Sequence, residues 1–348
     1  MDALSNFQLQ NFFTRYSPLT KEICDKVAAK IASGGTVKPT PLQGAQSYTV
    51  HITNGTNIFI IQFRGPNSIL DLDLLATAQE TYGHLVPTCQ KITSQHLKGL
   101  DPLQVYKMNY IPGDALLQVN KFLHQPENFP LLEQTVQDFA MYTHLYPSRS
   151  SSKLDAKESR FSSSAWRNRP SVPSFQSKAS IQSEYLSTLE RMMKLLPNRF
   201  QPLMDRIKSQ LPFLFADDYP MVINHWDLLE NNIMVDIQTG NLTGIVDWRD
   251  AKVGPFAMQF YGLENILGIR KTTCMAFHPR HIELRRLFWK TLYEEMGDVS
   301  EEIKAVIQAA RMVGIFLGNE FVEASDREDE MHLAVLESMT LDLSDVGL

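Results

Sequence analysis

The chain has 348 residues, of which 43% are apolar and 21% charged, enough to build sizeable cores and too apolar for a disordered chain. At roughly 150 residues per domain, that length suggests two domains or lobes, and the formal charge of −6, from 33 Lys and Arg against 39 Asp and Glu, argues against a dominant nucleic-acid surface. The 3 cysteines lie far apart, no apolar run reaches the about 18 residues of a membrane span, and the N-terminus lacks a secretory pattern, so a cytoplasmic protein without a membrane or nucleic-acid partner is expected.

In chain order, residues 1–38 read as a helical extension, with Ile23, Val27 and Ile31 on one face and Gly34 and Gly35 as its stop. PLQGAQSYTVHI reads as strand, turn and strand with Gly44 in the turn, and Asn54–Gly55 as a tight hairpin turn. IFIIQF (58–63) follows as a buried strand. The spacing predicts a helix over 70–83, with Leu72, Leu75, Ala76 and Gln79 periodic, then a strand over 105–110 ended by Pro112 and Gly113. An amphipathic helix over 129–145 carries Leu132, Val136, Phe139, Ala140 and Leu145. Residues 148–180, rich in Ser and Arg, read as a surface insertion. Helices are predicted over 182–196 and 199–210, strands over 232–236 and 242–248, and helices over 256–267, 280–296, 300–318 and 328–337.

The segment NHWDLLENNIMVDIQTGNLTGIVDWRDA carries the chemistry. Asp227 and Asn232 stand at the two ends of a short loop, and Asp247 at the end of a return strand. Asp and Asn offer hard oxygens that suit Mg²⁺. A further carboxylate beside the metal can orient and deprotonate a hydroxyl, the equipment of phosphoryl transfer to an alcohol. Each residue also has a structural reading: a turn or cap for the acids, a core position for His225, packing for Trp248.

HWDLLENNIM and IVDW resemble the HGDLxxxNIL loop and I-D-W strand of the aminoglycoside phosphotransferase and choline kinase-like family, particularly its fungal members. The resemblance implies an α+β, bilobal, protein-kinase-like fold: an N-terminal helical extension (1–38), a nucleotide-binding lobe with a small antiparallel sheet (39–113), and a mainly helical lobe (114–348) bearing the catalytic loop. It implies Asp227 as catalytic base, His225 as the structural histidine of the loop, and Asn232 and Asp247 as metal ligands, with ATP and Mg²⁺ as cofactors. LQGAQSYTV resembles the phosphate-covering loop, which puts Gly44 and Ser47 near phosphate, although a plain turn reads equally well. MNYIPG resembles the inter-lobe connection, with the Met108–Tyr110 backbone meeting adenine.

Two departures matter. The strand that should carry a phosphate-binding lysine reads IFIIQFR, with Gln62 near that position and Arg64 two residues on, sharing its face. Arg64 either supplies the missing charge or ends the strand in solvent, and Lys107 reads as solvent-facing. Trp226 stands where the family usually has glycine, and Asp250 is either a helix cap or a charge that attracts an amine. Glu264, His278 and His281 are acceptor-pocket candidates without motif-grade spacing. The leading reading is a kinase for a hydroxyl of a small molecule, with a cationic acceptor slightly favoured by the acidic balance. The alternative is a catalytically weak or inactive kinase-like binding or scaffold protein. No HRD, DFG, APE or GxSxG pattern supports a protein kinase or a serine hydrolase.

Overall fold

The computed structural model describes residues 3–93, 97–144, 176–297, 299–318 and 326–341. Leu145 and the Ser/Arg-rich stretch up to residue 175 lie outside them. The chain divides into two compact units, one of residues 1–112 with 243–249 and one of 113–242 with 250–348. Their architecture is bilobal α+β, an antiparallel sheet in the first and mainly helices in the second.

In the first unit, α1 (Ala3–Arg15) and α2 (Lys21–Ile31) pack on a five-stranded sheet. Its strands are β1 (Thr36–Pro39), β2 (Ser47–Asn54), β3 (Asn57–Arg64), β4 (Cys89–Lys91) and β5 (Gln104–Asn109), in the order β1-β2-β3-β5-β4, and every pairing is antiparallel. Alternation sends Tyr48, Val50, Ile52, Ile61, Phe63 and Val105 to one face, where they form a core with Phe12, Cys24, Val27 and Ala28. Each large side chain buried there contributes about 1.5–3 kcal/mol. Of the expected α2 stripe only Val27 is buried; Cys24 and Ala28 join it in the core, while Ile23 is exposed and Ile31 half-buried.

Asn54 pairs with Asn57, so the two-residue turn is Gly55–Thr56, one residue later than the expected Asn54–Gly55, with Gly55 at φ 61°. The strand expected over residues 41–43 is instead β1, and 40–46 are a connection closed by Gln43. The Gln43 side chain donates to Thr49 O at 2.8 Å and Thr40 O at 3.1 Å, and accepts from Thr49 N–H at 3.0 Å. Helix α3 (Leu72–Tyr82) starts on an Asp71 cap, and it buries Leu75, Ala78 and Tyr82 rather than Ala76 and Gln79.

The second unit comprises α4 (Leu116–Leu123), α5 (Phe129–His144), α6 (Lys178–Leu195), α7 (Gln201–Gln210), α8 (Gly262–Leu267), α9 (His281–Met296), α10 (Glu301–Gly318) and α11 (Asp326–Thr340). Leu132, Val136, Phe139 and Ala140 of α5 are fully buried, as the periodicity requires. Three short antiparallel pairs accompany the helices. They are β6 (Asp114–Ala115) with β8 (Ile233–Val235), β7 (Met221–Asn224) with β10 (Lys252–Pro255), and β11 (Gly268–Arg270) with β12 (Met275–Phe277). After β8 the chain reverses at 236–241, where Gly240 has φ +76° and a Cβ would lie 2.2 Å from Leu131 O. It then runs through β9 (Leu242–Ile245) into the 243–249 segment of the first unit.

Candidate active site

The loop 225–232 is fixed from two sides within the second unit. Asn232, 3% exposed, donates its carboxamide N–H to Asp227 O at 2.7 Å and to Asp227 Oδ2 at 3.1 Å. The two ends of the loop are thus bonded to each other, which sets the carboxylate of Asp227 in a half-buried position. Behind the loop, Gln259 Oε1 accepts from His225 N–H at 3.1 Å, Tyr261 Oη accepts from Leu228 N–H at 2.6 Å, and Asn265 Nδ2 donates to Leu228 O at 2.9 Å. Burial pushes the Tyr261 phenol up, reinforced by the Asp227 charge and opposed by the Leu228 bond, so it stays neutral. His225 is fully buried, with its carbonyl accepting from Asp227 N–H at 2.8 Å. The imidazole belongs to the core under the loop.

Trp226 has φ 60°, in the left-handed region, where an L side chain crowds the backbone. The ring is retained by stacking on Tyr185, with centroids 5.8 Å apart, and by the Lys252 ammonium 5.1 Å from its centroid. The conformation explains why glycine suits this position.

In the first unit, β3 and the 243–249 segment make a polar chain. Gln62 Nε2 donates to Thr49 Oγ1 at 3.0 Å and Ser47 Oγ at 3.3 Å. Its Oε1 accepts from Arg64 Nε at 2.7 Å, and Arg64 Nη2 donates to Asp247 Oδ1 at 2.6 Å. Arg64 is only 2% exposed, so the solvent-facing alternative is wrong: the guanidinium is held inside by a carboxylate partner. Asp247 lies two residues past the end of β9 at φ 61°, with its side chain 41% exposed. Beside it, Trp248 packs on Tyr82 and donates its indole N–H to Ile245 O at 2.9 Å.

The remaining nucleotide-side residues scatter. Gly44 precedes the turn at 45–46, its φ lies outside the left-handed region, and a Cβ there would meet only Ser47 Oγ at 3.7 Å, so no conformational demand selects it. Met108 pairs with Ile60 within the sheet, while Tyr110 is 38% exposed beyond the strand end. Lys107 is not simply solvent-facing, because its ammonium sits 4.4 Å from the Phe59 centroid.

Glu264 is unavailable to an acceptor. It is fully buried and bonded to both Arg285 and Arg311, with Arg285 Nη1 to Oε1 at 2.7 Å. Burial alone would raise its carboxyl, but the two guanidiniums overcome this and hold it at about 2. His278 is buried, its Nδ1 accepting from Arg280 N–H at 3.1 Å, and His281 stacks on Phe277. Sequence reading missed Gln259, Tyr261 and Asn265, which clamp the loop. The only available hint was polar and phenolic residues inside an otherwise apolar run.

The donor chemistry fits magnesium. Asn232 supplies a carboxamide oxygen in its unit, and Asp247 a partly exposed carboxylate in the other. No group of three or more His, Cys, Asp or Glu gathers among the described residues. Magnesium at a phosphate site needs no such cage, because waters and substrate phosphates complete its shell.

A family model described as the phosphotransferase enzyme family matches residues 64–273, more than half of the chain, and includes Arg64, Asp247 and the whole 225–232 loop but not Ser47, Thr49 or Gln62. The chain belongs to this phosphotransferase enzyme family. Among solved structures it is similar to a Ralstonia eutropha protein provisionally named an aminoglycoside phosphotransferase, at 12% identity and TM-score 0.51, covering 94% of this chain and 98% of that one. It is also similar to a thermostable mutant of aminoglycoside phosphotransferase APH(4)-Ia in a ternary complex with ADP and hygromycin B, at 11% identity and TM-score 0.50, covering 92% and 98%. Choline kinase LicA from Streptococcus pneumoniae matches at 11% identity and TM-score 0.47, covering 92% and 99%. The first two of these structures share the fold with this phosphotransferase-family chain. No curated protein sequence matches it.

Proposed function

We propose that the chain is an ATP- and Mg²⁺-dependent phosphotransferase acting on a hydroxyl of a small molecule. The observation that carries this reading is the Asp227–Asn232 bond inside the family-matched segment, which holds a carboxylate at a set position while leaving it partly accessible. In this reading Asp227 orients the acceptor hydroxyl and takes its proton as the oxygen bonds to the γ-phosphorus of ATP and the bond from that phosphorus to the departing ADP breaks. Asn232 and Asp247 hold magnesium, which when bound neutralises charge on the nucleotide phosphates. Arg64 supplies the cation that the missing lysine would provide, and its bond to Asp247 keeps that buried charge partnered. Gln62, bonded to both Arg64 and Thr49, fixes the guanidinium plane. The hygromycin B of the structural neighbour puts amino-sugar alcohols first among acceptors to try.

The second reading, a kinase-like binding protein without turnover, is favoured by the burial of Arg64 and its engagement by Gln62, Ser68 and Asp247. A panel of amino alcohols and aminoglycosides with Mg-ATP, read by mass spectrometry of phosphorylated products, separates the two. Product from the wild type, with retained Mg-ATP binding and no product from Asp227→Asn, is expected. Mg-ATP binding without product from any acceptor favours the binding protein, and no Mg-ATP binding at all refutes both. Arg64→Met should weaken ATP more than adenosine, since only ATP carries the charge that Arg64 would meet.

A further inference from the structure

We propose that the first unit carries a second small-molecule site, on the sheet face covered by α2, that takes a small organic monoanion with an apolar body. This site stands apart from the proposed phosphotransfer residues. Gln62 and Arg64 alternate with Ile61 and Phe63 along β3, so they point to the opposite face. Phe59 shares the side of Ile61 and Phe63 and marks the edge of the α2-covered core.

The site is a cavity of about 640 Å³ bounded by the C-terminal end of α2, the β2–β3 hairpin, β4 and the end of β5. That volume is within the roughly 300–1,000 Å³ of ligand pockets. Its apolar wall on the α2 side is Ile31 and Phe59, while Ile58, one position before Phe59 on β3, borders the rim from the other face. Lys107 and Asn109 stand two residues apart on β5 and so share a face, and Asn109 pairs directly with Phe59. The three residues therefore form one corner of the cavity.

The charge balance of this corner selects the ligand. Among the described residues no Asp or Glu lines the cavity, and no carboxylate lies within 4.0 Å of the Lys107 ammonium. The ammonium instead rests on the Phe59 ring. Burial pushes the neighbouring Cys89 thiol up to about 12, opposed only partly by Arg64, so Cys89 is neutral and Lys107 is the one formal charge among the lining residues. Asn109 adds direction. Its Oδ1 accepts from Thr88 N–H at 2.6 Å and from Thr88 Oγ1 at 2.8 Å, which leaves its NH₂ group as the end free to donate. An ammonium and an amide NH₂ side by side match the two oxygens of a carboxylate. Ile31 and the Phe59 ring take the apolar body.

The test uses the full chain with ¹³C-labelled Ile and Met methyl groups, titrated with 3-phenylpropanoate, its neutral amide, and inorganic phosphate. Saturable shifts at Ile31 with the carboxylate are expected, with the amide and phosphate at least tenfold weaker. Lys107→Gln should reduce the carboxylate to the level of the amide. Asn109→Asp should weaken it at least tenfold as well, and this variant retains an acceptor for Thr88, so the local fold survives. Saturating Mg-ATP should leave the carboxylate affinity unchanged. Equal affinities for acid and amide, shifts centred on Ile60 of the opposite face, competition by Mg-ATP, or no saturable shift would each overturn the proposal.

Discussion

Replacing Glu264 by glutamine removes one charge and almost no volume from the second unit. Glu264 is fully buried and Arg285 and Arg311 are at most 4% exposed, so the substitution leaves two guanidiniums side by side in the interior with no counter-charge. Breaking a buried ion pair by removing one partner costs about 3–5 kcal/mol. The titration of Glu264 gives a consistent magnitude. A carboxyl held at about 2 instead of its ordinary 4.5 corresponds to about 3 kcal/mol of stabilisation, at about 1.4 kcal/mol per pH unit. Because the folded-state value is depressed, this contribution is complete above about pH 4.5 and is lost as the pH falls towards 2. Differential scanning calorimetry of Glu264→Gln should show a fall of about 10 °C, at about 2–4 °C per kcal/mol for a body of this size. Arg311→Met should cost less, because it leaves a neutral Glu264–Arg285 pair in a cluster that otherwise carries one excess positive charge. Burial already holds the Arg311 guanidinium below its ordinary value, and Arg285 adds to this. A loss below about 1 kcal/mol for Glu264→Gln, or a larger loss for Arg311→Met, would refute the assignment of Glu264 as the counter-charge that anchors the two buried guanidiniums.

Gly314→Ala in α10 should lower the urea midpoint by the equivalent of about 2 kcal/mol or more, since the new Cβ would lie 1.9 Å from Met258 O. An unchanged or raised midpoint, as the about 1 kcal/mol of helix propensity alone would give, would show that the backbone yields there. Burial lowers His124, His278 and His281 below the ordinary 6.5, so these rings are neutral in the folded chain. The unfolded chain then binds more protons, and stability should decline as the pH drops below about 6.5. His124→Gln should flatten that slope in denaturant melts at pH 5 to 7 without adding a new one.

The sequence revealed some elements by period and the loop by residue order. The α5 stripe and the β2–β3 hairpin follow directly from spacing and from Asn54–Gly55. By contrast, β7 is buried at all four positions, so it shows no alternation to read. The helix expected over 256–267 begins instead as a turn at 256–257, just past the end of β10, and a 3₁₀ turn at Met258–Tyr261. Ala257 adopts φ 71° just before that turn, and Gln259 N–H is drawn to Asn224 Oδ1 at 3.1 Å, so only Gly262–Leu267 is α-helical. Arg64 was ambiguous for a related reason. A charge at a strand end reads as solvated unless its partner is known, and Asp247 lies 183 residues away.

That separation has a consequence for synthesis. The first unit is assembled from two stretches of chain, and the second stretch, 243–249, is made only after the ribosome has passed more than a hundred residues of the other unit. At roughly 5–20 residues per second the delay is on the order of 10 s. During it the sheet can form, but Arg64 has no Asp247 to meet and Tyr82 no Trp248 to cover it. The nascent sheet must therefore keep an open polar seam along β3 until the late segment arrives, and an N-terminal fragment ending at Pro112 would retain that seam permanently.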